Sequence, residues 1–126
     1  MLIAYDSMTG NNANFIQRIG MRAVRIEENL RLTEPFILLT YTTGFGQVPR
    51  KTQQFLKNNH LHLQGVAASG NKAWGDNFAI SADKIANQYG VPIILKYEMR
   101  GTPEDEETFK ERVQTIRYET DCYETH

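Results

Sequence analysis

The chain has a single cysteine, Cys122, among its 126 residues. It can form no internal disulfide, and with no base or helix start nearby to lower its pKa the thiol reads as inert. No apolar stretch approaches the roughly 18 residues that a membrane-spanning helix needs. Neither sign of charge dominates, since 14 basic residues against 15 acidic ones leave a formal net charge of −1. No basic run is available to neutralise phosphates along DNA or RNA, which argues against a nucleic-acid partner. The first strand pattern starts at Leu2 and leaves no room for a signal peptide's basic and apolar regions. The expectation is therefore a soluble, cytoplasmic protein with no membrane partner.

Several chemical signatures are missing as well. No Gly-Lys-Ser/Thr triplet is present, so the NTP-binding loop with its phosphate lysine is absent. Gly44-Phe45-Gly46-Gln47-Val48-Pro49 opens like a dinucleotide fingerprint, but it has proline where a third glycine should pack and it does not follow the first strand. His60 and His62, expected at the start of a strand, have no carboxylate or thiolate partner in the local sequence and read as surface residues, so no metal site is assigned. Asp105, Glu106 and Glu107 read as charges of a first helical turn. No catalytic residue is assigned.

What is present is an ordinary globular composition, 40% hydrophobic and 23% charged, in a chain of single-domain length. Such a domain buries about two-thirds of the surface its unfolded chain exposes. Hydrophobic patterning predicts strands near residues 2–6, 22–26, 36–41, 63–69 and 92–97, with helices near 11–20, 49–58, 75–89 and 103–117. Alternation of this kind predicts an α/β fold with a parallel sheet covered on both faces. Phe78, Ala82, Ile85, Ala86 and Tyr89 form one helical stripe, and Phe109, Val113 and Ile116 another. Thr102-Pro103-Glu104-Asp105 supplies a cap, a first-position proline and first-turn acids. Between the second and third strands only residues 27–35 remain, too few for a covering helix. The domain is expected to span residues 1–117, followed by a polar tail, 118–126.

Five of the nine glycines fall in three loops that follow strands. Ser7-Met8-Thr9-Gly10-Asn11-Asn12 joins a strand to a helix start, where unpaired N–H groups and the helix dipole favour an anion. Its serine, threonine and asparagines add donors without charge, and Gly10 allows a left-handed backbone or close approach. The loop has no cysteine or arginine with which to cleave a phosphate ester, so it reads as a holder of one. Thr42-Thr43-Gly44-Phe45-Gly46 and Ser69-Gly70-Asn71-Lys72-Ala73-Trp74-Gly75 follow the third and fourth strands, at the sheet edge where open α/β folds bind ligands. Phe45 and Trp74 offer flat faces there, and a phosphate at one end of an aromatic slot describes a nucleotide-like planar cofactor. Plainer readings exist for each piece alone: a capped helix start, a tight turn before Pro49, a core tryptophan.

A strand ending in Ser-x-Thr-Gly-Asn with two converging loops resembles the flavodoxin-like FMN proteins. Tyr41 to Pro49, Gly65 to Asn71 with Trp74-Gly75, and Tyr97 to Asp105 resemble the NrdI family in particular, in order and over nearly the whole chain to about Arg117. The resemblance implies a doubly wound five-stranded parallel sheet in the order 2-1-3-4-5 with a shortened second crossover. It implies FMN as cofactor, with Ser7, Met8, Thr9, Gly10, Asn11 and Asn12 on the phosphate loop. Thr43, Gly44, Phe45 and Gly46 would lie beside the flavin ring, and Ser69, Gly70, Asn71, Trp74, Gly75 and Phe78 would complete its other side. It further implies an auxiliary protein rather than an enzyme with its own organic substrate. The reduced flavin, charged by an unidentified reductase, would react with dioxygen to give superoxide or a peroxide-level oxidant. That oxidant would serve assembly of the dimanganese-tyrosyl radical cofactor in the small subunit of class Ib ribonucleotide reductase. The near-neutral chain is expected to penalise an anionic reduced flavin less than a strongly acidic one would. The Gly44-Phe45 peptide is expected to reorient when flavin N5 turns from acceptor to donor. The rivals are a plain flavodoxin carrying single electrons and a non-redox phosphate-ligand module.

Overall fold

Strands that are apolar along both faces need cover on both sides, and they have it in the computed structural model of the chain. The structure describes the backbone of residues 1–43 and 46–124, and the side chains of these as far as residue 116. The expectations placed on Gly44, Phe45 and the Cys122 thiol therefore lie outside the described residues. Chain order runs β1 (Leu2–Tyr5), α1 (Asn11–Ile19), β2 (Ala23–Arg25), β3 (Phe36–Tyr41), α2 (Arg50–Asn59), β4 (Leu63–Gly70), α3 (Ile80–Tyr89), β5 (Ile93–Glu98) and α4 (Pro103–Glu124). The strands form one parallel sheet in the order β2-β1-β3-β4-β5. This is the doubly wound architecture expected.

Alternate residues of each strand feed two separate cores. Leu2, Ala4, Phe36, Leu38, Val66 and Ala68 meet Phe55 and Leu56 of α2 and Ala82 and Ile85 of α3. Ile3, Ile37, Leu39, Ala67 and Leu95 meet Phe15 and Ile16 of α1 and Phe109 and Val113 of α4. The second crossover lacks a helix, as its length requires, and α2 compensates with one side chain. Asn59 accepts from the Leu32 N–H at 2.7 Å and donates to the Leu30 and Phe55 carbonyls, both at 2.9 Å. Those bonds satisfy coil backbone that a helix would have satisfied internally.

Three elements differ from expectation. The helix expected over 75–89 is divided into a 3-10 segment, Lys72–Asn77, kinked at Gly75, and α3, which starts only at Ile80. Gly75 (φ 57°) and Ala79 (φ 48°) both leave the right-handed region, which breaks the hydrogen-bond ladder. Helix α4 continues to Glu124, because nothing after Pro103 in its sequence is a glycine or a second proline that would stop it. His60 and His62 lie in a 3-10 turn before β4 rather than in the strand. His60 stacks on Tyr89 at a centroid distance of 5.4 Å, and its Nδ1 lies 3.0 Å from the Leu56 carbonyl oxygen.

One buried amide fixes α1 to the sheet. Asn12, 1% exposed, donates to the carbonyls of Asp6 (2.8 Å) and Thr40 (2.9 Å) and accepts from the Tyr97 hydroxyl (2.5 Å). Phe15 stacks on Tyr97 with centroids 4.4 Å apart. An Asn12→Ala chain removes the amide from the Asp6 and Thr40 carbonyls and from the Tyr97 hydroxyl, and urea denaturation should show a loss of about 2–4 kcal/mol. Tyr97→Phe removes the hydroxyl from both Asn12 and Ser69 and should cost about 1–3 kcal/mol. Burial raises the Tyr97 pKa above its ordinary 10.0. The unfolded chain therefore ionises first, so this contribution to stability is complete below about pH 10 and is lost as pH rises above it. Tyr97→Phe should flatten that alkaline decline.

Candidate functional site

The loops that follow β1, β3, β4 and β5 meet beyond the carboxyl ends of the strands around a cavity of about 400 Å³. Its volume lies within the range of small-molecule and cofactor sites. Ser7, Met8, Thr9, Asn11 and Asn12 line one end, and Tyr41, Thr42, Ser69, Gly70, Asn71, Trp74 and Met99 line the rest.

At the first end the chain passes from β1 into α1 through Gly10, which has φ 87° and ψ −6°. The left-handed turn at Gly10 is the expected use of that glycine. Ser7 Oγ accepts from the Gly10 N–H at 3.1 Å and the Ala13 N–H at 3.4 Å, which closes the loop on itself. The N–H groups of Met8, Thr9, Asn11 and Asn12 take no protein partner among the described residues. Unpaired N–H groups of this kind at a helix start suit an anion. Asn12 contributes only its backbone, because its amide is committed to Asp6, Thr40 and Tyr97.

Charge stands beside this loop rather than in it. Arg25, the last residue of β2, donates to the Ser7 carbonyl at 2.7 Å. Buried Asp6 accepts from Thr52 Oγ1 at 3.2 Å, and the Thr52 and Thr40 hydroxyls lie 2.8 Å apart. The pKa of Tyr41 is raised, first by partial burial and then by the Asp6 charge, with Arg25 opposing. Tyr41 thus lines the cavity with its phenol in the neutral form.

The other end is apolar and open. Trp74 is 43% exposed, Met8 68% and Met99 53%, an unusual exposure for side chains of this size. Trp74 thus stands at a rim rather than in the core. Asn71 Oδ1 accepts from the Ala73 N–H at 2.9 Å, and the Lys72 N–H donates to Glu98 Oε2 at 2.9 Å, which ties the loop after β4 to β5. Met99 adopts φ 52° and donates its N–H to the Gly70 carbonyl at 3.0 Å.

Of the residues expected at the site, Ser7, Met8, Thr9, Asn11, Asn12, Ser69, Gly70, Asn71 and Trp74 line the cavity. Gly10 shapes the loop from behind, and Thr43 pairs with Gln47 across a short antiparallel bridge that includes Gly46 in its turn. Gly75 marks the kink after Trp74, and Phe78 packs on the α2/α3 core. Tyr41, Thr42, Met99 and Arg25 were not singled out as site residues. Their signal lay in the predicted topology: each sits at or just past the carboxyl end of a strand on the ligand-binding edge. An anion cradle, neutral donors and an open apolar slot fit a phosphate ester with a flat ring system.

The model of the family described as NrdI flavodoxin-like matches residues 3–111. Protein NrdI of Bacillus licheniformis is 50% identical over 115 residues, covering 90% of this chain and 88% of that protein. Among solved structures, oxidised flavodoxin 1 of Bacillus cereus superposes with a TM-score of 0.68 at 17% identity, covering 92% of this chain and 96% of that one. Fusobacterium nucleatum flavodoxin bound to flavin mononucleotide gives 0.67 at 13%, covering 94% and 96%. The two structural likenesses confirm the fold, and the family match over most of the length goes further: the chain belongs to the NrdI family of flavodoxin-like proteins.

Proposed function

We propose that this chain is the FMN protein that supplies oxidant for assembly of the dimanganese-tyrosyl radical cofactor in the small subunit of class Ib ribonucleotide reductase. The observation that carries the reading is the cavity itself, a neutral anion cradle opening into an apolar slot, in a chain of the NrdI family. The unpaired N–H groups from Met8 to Asn12 would hold the FMN phosphate, with the Ser7 and Thr9 hydroxyls beside them. The Thr43–Gly46 loop, Tyr41 and the Ser69–Trp74 loop would flank the ring. FMN, once reduced by a separate reductase, supplies the electrons that convert dioxygen to superoxide or peroxide. The protein's own residues orient the cofactor and leave its rim accessible. Met8, Trp74 and Met99 form an exposed apolar border through which dioxygen enters and against which a partner can seat. The chemistry and the reductase partner both belong to the cytoplasm.

Three measurements test this. Reduced protein mixed with manganese-loaded small subunit should restore the tyrosyl radical signal in the presence of oxygen and not under anaerobic conditions. A plain electron carrier would show no such oxygen requirement, and that outcome overturns the reading. In the cradle, two charge-assisted hydrogen bonds at about 1.5 kcal/mol each should make FMN bind about 100-fold tighter than riboflavin. Gly10→Val forces a branched side chain into a left-handed turn and should shrink that difference to less than about tenfold. With no carboxylate among the described residues that line the cavity and a net charge of only −1, the chain should also hold the two one-electron potentials of bound FMN close together; wide separation would contradict this.

A further inference from the structure

The loop after β3 is fastened to α3 at both of its described ends. On the β3 side, the Thr42 hydroxyl donates to Ser81 Oγ at 2.9 Å and accepts from the Ser81 backbone N–H at 3.2 Å. Thr42 thereby satisfies one of the first-turn donors that α3 cannot pair internally. On the return side, Lys84 Nζ donates to the Gly46 carbonyl. A Cβ added at Gly46 would stand 3.0 Å from Ile80 Cγ2, so the backbone lies directly on the helix. Ile80 and Ser81 stand four and three residues before Lys84, so both neighbour it on the surface of α3. The two arms of the loop are joined by Thr43 N–H to Gln47 O at 2.9 Å and Gln47 N–H to Thr43 O at 2.7 Å.

These contacts differ in kind. Thr42 and Ser81 are joined next to the candidate cofactor cavity, of which Thr42 forms part. Lys84 lines a different cavity of about 490 Å³ between α2 and α3, together with Gln47, Lys57 and Tyr89. We infer that Lys84 is a positioning residue for the cofactor site: from outside the cavity, its ammonium holds the Gly46 carbonyl and so fixes the return arm of the loop after β3 at Gly46 and Gln47. The inference rests on the reading of Thr43 to Gly46 as the ring-side loop. Reduction of a flavin adds negative charge and changes N5 from acceptor to donor, so the loop at the ring must accommodate two different partners. A cation bound to that loop favours the reduced, more negative state over the oxidised one.

The test separates the anchor from its consequence. In the FMN-free protein, Lys84→Met should speed amide hydrogen exchange at Gln47 about threefold to tenfold, the equivalent of one lost hydrogen bond, whereas Lys84→Arg, which keeps charge and donors, should not. In the FMN-loaded protein, Lys84→Met should weaken binding of reduced FMN about threefold to tenfold more than binding of oxidised FMN, with Lys84→Arg close to the parent. Unchanged exchange in Lys84→Met overturns the anchor. Faster exchange with equal weakening of both redox forms overturns the link between Lys84 and the flavin. A parent chain that takes up no FMN defeats the reading of the site, and the exchange result still decides the anchor.

Discussion

The buried amide of Asn12 is the constraint on which the binding edge depends. Its two N–H donors reach carbonyls at the ends of β1 and β3, and its oxygen receives the hydroxyl of Tyr97 from β5. Amide hydrogen bonds are directional, so three strands and the start of α1 are held in one geometry. The cavity loops after β1, β3 and β5 leave the sheet within a few residues of those contacts. The burial of Tyr97 keeps its hydroxyl protonated and donating, and Phe15 stacked on its ring prevents it from turning away. An anion cradle made of backbone N–H groups gains most when those groups are already in place, because ordering them on binding would cost part of the affinity. Asn12 provides that order while its side chain never faces the ligand.

Charge is distributed around the cradle in the same economical way. A phosphate held by lysine or arginine in the loop would be bound tightly but would sit in a strong local field. Here the loop is neutral, Arg25 reaches it from β2 through the Ser7 carbonyl, and Asp6 lies buried beneath, bonded to Thr52. Only charges within roughly 10 Å act strongly across water at moderate salt. Arg25 and Asp6 are therefore more relevant to the cavity than the near-zero total. Opposite signs on either side of the loop leave the N–H groups and the helix dipole as the principal source of positive potential.

Much of this was legible in the sequence. The sequences of β3 and β5 are apolar nearly throughout, which required cover on both sides. The stripes Ala82/Ile85 and Phe109/Val113 identified the covering helices, and the short interval before β3 excluded another. Thr102 and Asp105 exchange hydrogen bonds as their spacing suggests, with N–H to oxygen distances of 2.8 and 3.2 Å. What escaped the sequence was decided by contacts between distant residues. The kink at Ala79 runs against the residue's own preference, because alanine has no intrinsic reason to adopt φ 48°. It is imposed where Ala79, 1% exposed, packs into the α2/α3 core directly above Gly70, where a Cβ would stand 2.7 Å from the Ala79 nitrogen. Asn12 read as one more polar residue of the loop, and nothing local revealed that its amide faced inward. Arg25 ends a three-residue strand that the expected order already placed beside β1, but no local pattern showed that its guanidinium reaches the Ser7 carbonyl.

The two ends of the cavity are built to different stiffness. The cradle end rests on buried bonds among Asn12, Tyr97, Thr40 and Asp6. The loop after β3 rests on a two-hydroxyl contact and on Lys84, an exposed lysine whose hydrogen bond competes with water. Local opening free energies follow such differences, with solvent-exposed bonds yielding first. A redox cofactor needs this division. Its phosphate is chemically the same before and after electron transfer, so a rigid anchor there costs nothing in either state. Its ring changes charge and hydrogen-bonding character, so a rigid contact there would favour one state at the expense of the other. If the loop after β3 flanks the ring as proposed, anchors that can be made and broken at modest cost would accommodate both states, and their strength would set the balance between them.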